Sequence, residues 1–211
     1  FAFRAFGSIS SVGSILFMTA LYAGFLLTEV NNFNAKISKA LGGDATQALE
    51  IISKVNNRIG VYLTIKTIIN IILASISFLI MWVMGIDNAV FWAVMIGFLN
   101  YIPYVGSAIG VGFPVGLALA QFGSLQWAIL ALVLLMAVQT YVGNILEPKM
   151  IGKSVNLSSF VVLLALVFWT TIWGLPGAIL SIPLTSVLVI LLAENQSTKP
   201  FAAMFTSDGD L

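Results

Sequence analysis

The chain has no cysteine and no histidine among its 211 residues, and only 8% of them are charged. Without thiol or imidazole it has no disulfide, no thiolate nucleophile, no histidine base and almost none of the usual zinc or haem ligation. Charge is also missing in long blocks. From Asn88 to Leu146 run 59 residues without an Asp, Glu, Lys, Arg or His. Further charge-free runs cover Ala5 to Thr28, Thr67 to Ile86 and Ser154 to Ala193. Soluble domains carry about 25% charged residues, so this composition excludes one. The net charge of +1 argues against a nucleic-acid surface, which needs clustered Lys and Arg.

What is present is apolar: 60% of residues are hydrophobic, with a mean hydropathy of +1.06. As one helix, the 59-residue run would reach roughly 88 Å, near three times the ~30 Å hydrocarbon core of a bilayer. It must turn back within or beside the membrane. Pro103, Gly106, Gly110, Gly112, Pro114 and Gly123-Ser124 supply the turn residues. The expected fold is all-α and polytopic, with about six apolar helices or half-helices spread over a single transmembrane domain, residues 1–195. Residues 196–211 read as a loose polar tail. Phe1-Ala2-Phe3-Arg4 has neither an initiating Met nor the order of a signal peptide, and reads as the interior of a longer protein.

Segment A, 9–28, starts with small residues that favour close helix packing. Residues 29–60 form the one substantial polar stretch, broken at Gly42-Gly43. Asp44 with Gln47 resembles a capping box. Ala48, Ile52, Val55 and Ile59 then recur at helical spacing, which predicts an amphipathic cytoplasmic insertion at the interface or on a partner subunit. Segments B (61–84) and E (126–146) are long enough to span. Four shorter pieces, 88–102, 105–121, 158–173 and 177–193, fall below the ~20 residues a span needs. They form two pairs, C–D and F–G, broken at Ile102-Pro103-Tyr104-Val105-Gly106 and Trp173-Gly174-Leu175-Pro176-Gly177. Each pair is either two tilted spans or a re-entrant hairpin.

Orientation is the same on either reading. Lys36, Lys39, Lys54, Arg58, Lys149, Lys153 and Lys199 fall on one side, and only Arg4 lies outside the membrane on the other. The positive-inside rule predicts a cytoplasmic C-terminus. C–D then enters from outside and F–G from the cytoplasm, the pattern of inverted repeats around a midplane site.

Polar residues inside apolar segments are the candidate pathway. Lys66 either snorkels to the headgroups or forms an ion pair or relay with Asn70 one turn on. Asn100 either satisfies a carbonyl freed by Pro103 or binds a solute or cation beside it. Gln139, Asn144 and Glu147 form a stripe on segment E, with Thr140 beside them. Either this is a helix end meeting water, with Glu147 paired to Lys149 or Lys153, or it lines a solute route. Pro103, Gly106, Pro176 and Gly177 are expected at gated apices, where freed backbone groups offer ligands. Thr170, Thr171, Ser181, Thr185 and Ser186 read as hydroxyls bonding their own helix.

An intramembrane enzyme needs a nucleophile with a base or paired carboxylates. Asp87 and Glu147 are predicted on opposite sides, so that class is set aside. No Gly-x-x-x-x-Gly-Lys-Ser/Thr loop is present, so no ATP hydrolysis is encoded and no cofactor is implied. A secondary carrier for a small polar solute fits the broken pairs and buried polar residues. A channel and a non-transporting scaffold are the alternatives.

Three stretches together resemble the autoinducer-2 exporter family of bacterial membrane proteins: Gly97-Phe98-Leu99-Asn100-Tyr101-Ile102-Pro103-Tyr104-Val105-Gly106, then Asn144-Ile145-Leu146-Glu147-Pro148-Lys149-Met150-Ile151-Gly152 with Leu157-Ser158, then Trp173-Gly174-Leu175-Pro176-Gly177-Ala178-Ile179-Leu180-Ser181-Ile182-Pro183-Leu184. The likeness covers essentially the whole chain but only the C-terminal part of the family's usual length, which includes two further N-terminal spans. Ser158-Ser159 stands where a Pro often follows Leu157. The resemblance implies a multi-pass transporter of the bacterial inner membrane, exporting an autoinducer-2-like signalling molecule or exchanging sodium or lithium for protons. It also implies a homo-oligomer, a pentamer being one form.

Overall fold

A computed structural model of the chain describes residues 2–42, 45–151 and 156–209. These residues are almost entirely helical: α1 (Ala2–Leu41), α2 (Ala45–Val83), α3 (Ala89–Leu99), α4 (Val105–Phe122), α5 (Leu125–Tyr141), a π-turn (Val142–Leu146), α6 (Glu147–Ile151), α7 (Ser159–Trp173), α8 (Leu175–Glu194) and α9 (Lys199–Phe205). Among the described residues, four stretches are long and apolar enough to cross a bilayer: α2, α4, the run Leu125–Ile151, and α8. The chain is a polytopic helical membrane protein.

Residues 1–54 and 55–211 are two compact units. In the first, α1 carries Phe17, Tyr22, Phe25, Leu26 and Leu27 exposed, and Glu29 pairs with Lys36 two turns on. α1 runs from segment A into the polar stretch and continues to Leu41. Residues 45–60 of the expected 29–60 insertion are the first part of α2, which runs unbroken to Val83. No proline interrupts it, and a continuous helix leaves no backbone group unpaired at the membrane edge. The capping box at Asp44 and the Gly43 break lie outside the described residues, as do Lys153 and Ser154.

In the second unit, Ile69, Leu73 and Met81 of α2 pack against Ala93 and Ile96 of α3, Val111 and Ala118 of α4, and Ala131 and Leu135 of α5. The alanines let these backbones approach closely, which is what holds helices together where lipid competes equally for apolar surface. The α2–α3 turn is clamped by Gln121, which donates to Gly85 O (2.8 Å) and accepts from Asp87 N–H (2.9 Å).

Both Gly/Pro pairs are helical hairpins, and their limbs are unequal. α3 (11 residues) and α7 (15 residues) are short, while α4 (18 residues) and α8 (20 residues) reach spanning length. The expectation that all four limbs are too short therefore holds for two of them. Helical winding of residues 105–122 and 175–194 continues through Pro114 and Pro183, and α8 begins two residues before the expected limb at 177. The hairpins touch: Ile102 at the α3–α4 apex packs with Leu166 of α7 and Ala178 of α8.

Within the stretch expected as a loose tail, residues 199–205 form α9. α9 buries Ala202, Thr198 Oγ1 donates to Leu192 O (2.7 Å), and Phe205 O accepts from Ser158 N–H (3.0 Å). Asn156 Nδ2 donates to Asp208 Oδ1 (2.5 Å), so these residues pin the chain entering α7.

Candidate functional site

Pro148 sets the local geometry of the site. It has no N–H, and its ring would collide with the carbonyl four residues back, that of Asn144. Residues Val142–Leu146 widen into a π-turn, in which Glu147 N–H reaches Val142 O five residues back. Such one-turn insertions recur at functional sites because they re-aim side chains on one face. Here they turn Gly143, Asn144 and Glu147 into the same space as Met136, Gln139 and Thr140.

That space is a cavity of about 570 Å³, within the range of small-molecule sites. Lys66 of α2 forms part of its wall. The α3–α4 apex adds Asn100, Ile102, Pro103, Tyr104, Ser107 and Ala108, and Val162 and Ile182 complete it from α7 and α8. Of the sequence candidates, Lys66, Asn100, Pro103, Gln139, Asn144 and Glu147 line this one cavity. Gly106, Asn70, Pro176 and Gly177 do not.

Two polar chains cross the site. Lys66 Nζ donates to Glu147 Oε1 at 2.6 Å. The lysine side chain is 6% exposed and the glutamate 22%. Of the two readings for Lys66, snorkelling gives way to the ion pair, and Glu147 takes Lys66 as partner. The second chain is built from carboxamides. Gln139 Nε2 donates to Asn100 Oδ1 (2.7 Å), and Asn100 Nδ2 donates to Asn70 Oδ1 (2.8 Å). Asn70 is thus a residue behind the wall. Its Nδ2 is buried without a hydrogen-bond partner, at a cost of about 1–3 kcal/mol.

The apices hold less free backbone than the sequence suggests. Leu99 O, the carbonyl Pro103 cannot reach, accepts from Ile102 N–H (2.9 Å), and Ile102 O accepts from Gly106 N–H (3.0 Å). Gly106 and Gly177 are helical and serve close approach: a Cβ on Gly106 would lie 1.7 Å from Leu99 O, and one on Gly177 2.0 Å from Trp169 O. The positive φ at the second apex belongs to Gly174 (φ 64°, ψ −140°). At the first it belongs to Tyr104 (φ 60°, ψ −50°), a non-glycine residue held in a costly backbone region at the cavity wall.

Sequence reasoning missed the strained Tyr104 backbone, the wall contributions of Ser107, Met136, Val162 and Ile182, and the contact of Tyr101 Oη with Thr67 Oγ1 (2.6 Å). The Glu147-Pro148 step was the available signal for the π-turn. The hydroxyls of Thr170, Thr171, Ser181, Thr185 and Ser186 do donate to carbonyls three or four residues back in their own helices, as expected.

Comparison with known proteins agrees with these motifs. Residues 1–196 match the family described as AI-2E family transporter. A protein of Borreliella burgdorferi named as a candidate transport protein is 33% identical over 100% of the chain and 59% of its own length. The AI-2 transport protein TqsA of Escherichia coli is 29% identical over 94% of the chain and 57% of its own length. A candidate transport protein of Haemophilus influenzae is 31% identical over 97% and 59%. The chain therefore spans under two thirds of the length of these relatives. From the match over residues 1–196 and the Borreliella relative, the chain belongs to the AI-2E family of membrane transporters.

Proposed function

We propose that the chain forms the solute-handling part of a secondary carrier, facilitative or coupled to an ion gradient, in the bacterial inner membrane with its C-terminus in the cytoplasm. The observation that carries this reading is the cavity of about 570 Å³ walled by Asn100, Gln139, Thr140, Asn144 and the Lys66–Glu147 pair. Intramembrane polar groups are costly and mark solute or ion routes. Carboxamides and hydroxyls suit a small polar solute, and an autoinducer-2-like molecule fits that class, in keeping with the name of the relative TqsA. The two hairpins, touching through Ile102, Leu166 and Ala178, supply the gate. Assembly as a homo-oligomer is part of the proposal.

A second reading is favoured by the ion pair. A carboxylate that meets both Lys66 and the cavity can exchange its counter-ion, which would make the protein a sodium- or lithium-for-proton antiporter. Reconstituted full-length protein, tested for autoinducer-2 flux under separate proton and sodium gradients, distinguishes the two. Saturable solute flux supports the carrier, cation-for-proton exchange without it supports the antiporter, and unsaturable flux indicates a channel. A protein moving neither is a scaffold.

A further inference from the structure

The three carboxamides of Asn70, Asn100 and Gln139 form a chain with two possible polarities. Rotating each amide by 180° exchanges its nitrogen and oxygen and preserves both contacts, at 2.8 and 2.7 Å. The two polarities differ only at their ends. In one, Asn70 Nδ2 is the buried group without a partner, and Gln139 offers Oε1 to the cavity. In the other, the partnerless group is Asn70 Oδ1, and Gln139 offers its NH2.

The cavity end does not decide between them, because a half-buried Gln139 meets water with either atom. The buried end does. Asn70 is 4% exposed, and a buried amide oxygen left without a donor is tolerated more often than a buried N–H left without an acceptor. Gly97, whose added Cβ would lie 3.0 Å from Asn70 O, shows how tightly α3 closes over this residue.

We infer that the resting chain donates inward to outward, Asn70 to Asn100 to Gln139, so that Gln139 turns its NH2 into the cavity and grips the solute by an acceptor oxygen, a carboxylate or carbonyl. The inference deepens the transport reading by naming how the same cavity holds its solute. Gln139 is then a specificity-determining residue, and Asn70, out of reach of the solute, is the positioning residue that sets its polarity. Lys66 and Asn144, which also carry donor groups, line the same cavity.

The test is magic-angle-spinning NMR of the unsubstituted protein in lipid nanodiscs, with 15N in Asn and Gln side chains and magnetisation transferred from water. Gln139 Nε2 is expected to show a water contact and Asn70 Nδ2 a hydrogen-bonded shift without one. A water-free Gln139 Nε2 bonded to Asn100, with no hydrogen-bonded shift at Asn70, overturns the polarity. Pyruvate, which carries only acceptor oxygens, should displace water from Gln139 Nε2, while guanidinium, which carries only donors, should not. Displacement by guanidinium alone, or by neither probe, overturns the solute class. None of these readouts requires flux, so failure here leaves the transport reading standing, and absence of flux leaves this one standing.

Discussion

Glu147 Oε1 sits 2.6 Å from Lys66 Nζ across 81 residues of sequence, joining the start of α6 to the middle of α2. A pair this little exposed is held by mutual attraction against the loss of hydration, so removing one partner strands the other. Lys66→Met should destabilise the folded protein by about 3 kcal/mol, and Glu147→Gln by less, because the amide still accepts from Lys66. Lys66→Met combined with Glu147→Leu should recover much of the loss. Thermal unfolding in nanodiscs across this cycle gives the coupling. Losses that simply add would show that the two groups are not paired.

The same pair offers a transport prediction. Glu147→Gln removes a carboxylate that could change its counter-ion and leaves the wall's shape intact. Flux that depends on a proton or sodium gradient in the parent should become independent of it. The measurement is solute uptake into proteoliposomes at fixed concentration with the gradient imposed or collapsed. Unaltered coupling in the variant would place the ion route elsewhere.

Gln139→Leu keeps the side chain's size and removes its hydrogen bond to Asn100. One lost bond to a buried amide costs about 1–3 kcal/mol, too little to prevent insertion of a span as apolar as α5. Flux should fall at least tenfold with normal expression. If flux is unchanged, the polar stripe serves packing alone.

Much of this site is legible in the sequence because apolar helices punish misplaced polarity. Asn100, Gln139, Asn144 and Glu147 each stand in or beside a charge-free run, so each has to face protein or a watery cavity, and the structure gathers all four around one space. Partnerships are less legible. Asn70 meets Asn100, and Lys66 meets Glu147, through the packing of α2 on α3 and α5, which no spacing rule within one helix encodes. The π-turn is invisible to a search for four-residue periodicity, since it alters that periodicity. The length of α2 is hidden for a related reason: the change from amphipathic to apolar at residue 60 marks a change of surroundings, and the helix itself does not break there. The glycines at 106 and 177 read as turn residues in the sequence because a Gly/Pro cluster looks the same whether glycine supplies a positive φ or room for a neighbouring backbone.

Topology is tested independently of the cavity. The lysine asymmetry predicts that residues 29–60 and 147–157 face the cytoplasm. Cysteines introduced at Ser38 and Ser154, the only thiols in the protein, should resist a membrane-impermeant maleimide in intact cells and react after permeabilisation. Efficient labelling of both in intact cells would invert the orientation.

The two hairpins stand or fall on close approach at their first turns. On Gly106 a Cβ would overlap Leu99 O at 1.7 Å, and on Gly177 it would overlap Trp169 O at 2.0 Å. Neither obstacle is the end of a flexible side chain, so the helices must separate to make room. Overpacking of this kind costs about 1–3 kcal/mol and more where backbone has to move. Gly116, on the same helix as Gly106, has open space around its Cβ position, and alanine there should be neutral or stabilising by up to ~1 kcal/mol through helix propensity. Gly106→Ala and Gly177→Ala should therefore lower the unfolding temperature and Gly116→Ala should not. Because Ile102 lies between Leu99 and Gly106 and touches Leu166 and Ala178, opening the first hairpin also shifts its contact with the second. Flux in Gly106→Ala should fall further than its stability loss explains, measured at a temperature where the variant remains folded. Equal behaviour of the three alanine variants would mean that the hairpins are not closed at these glycines.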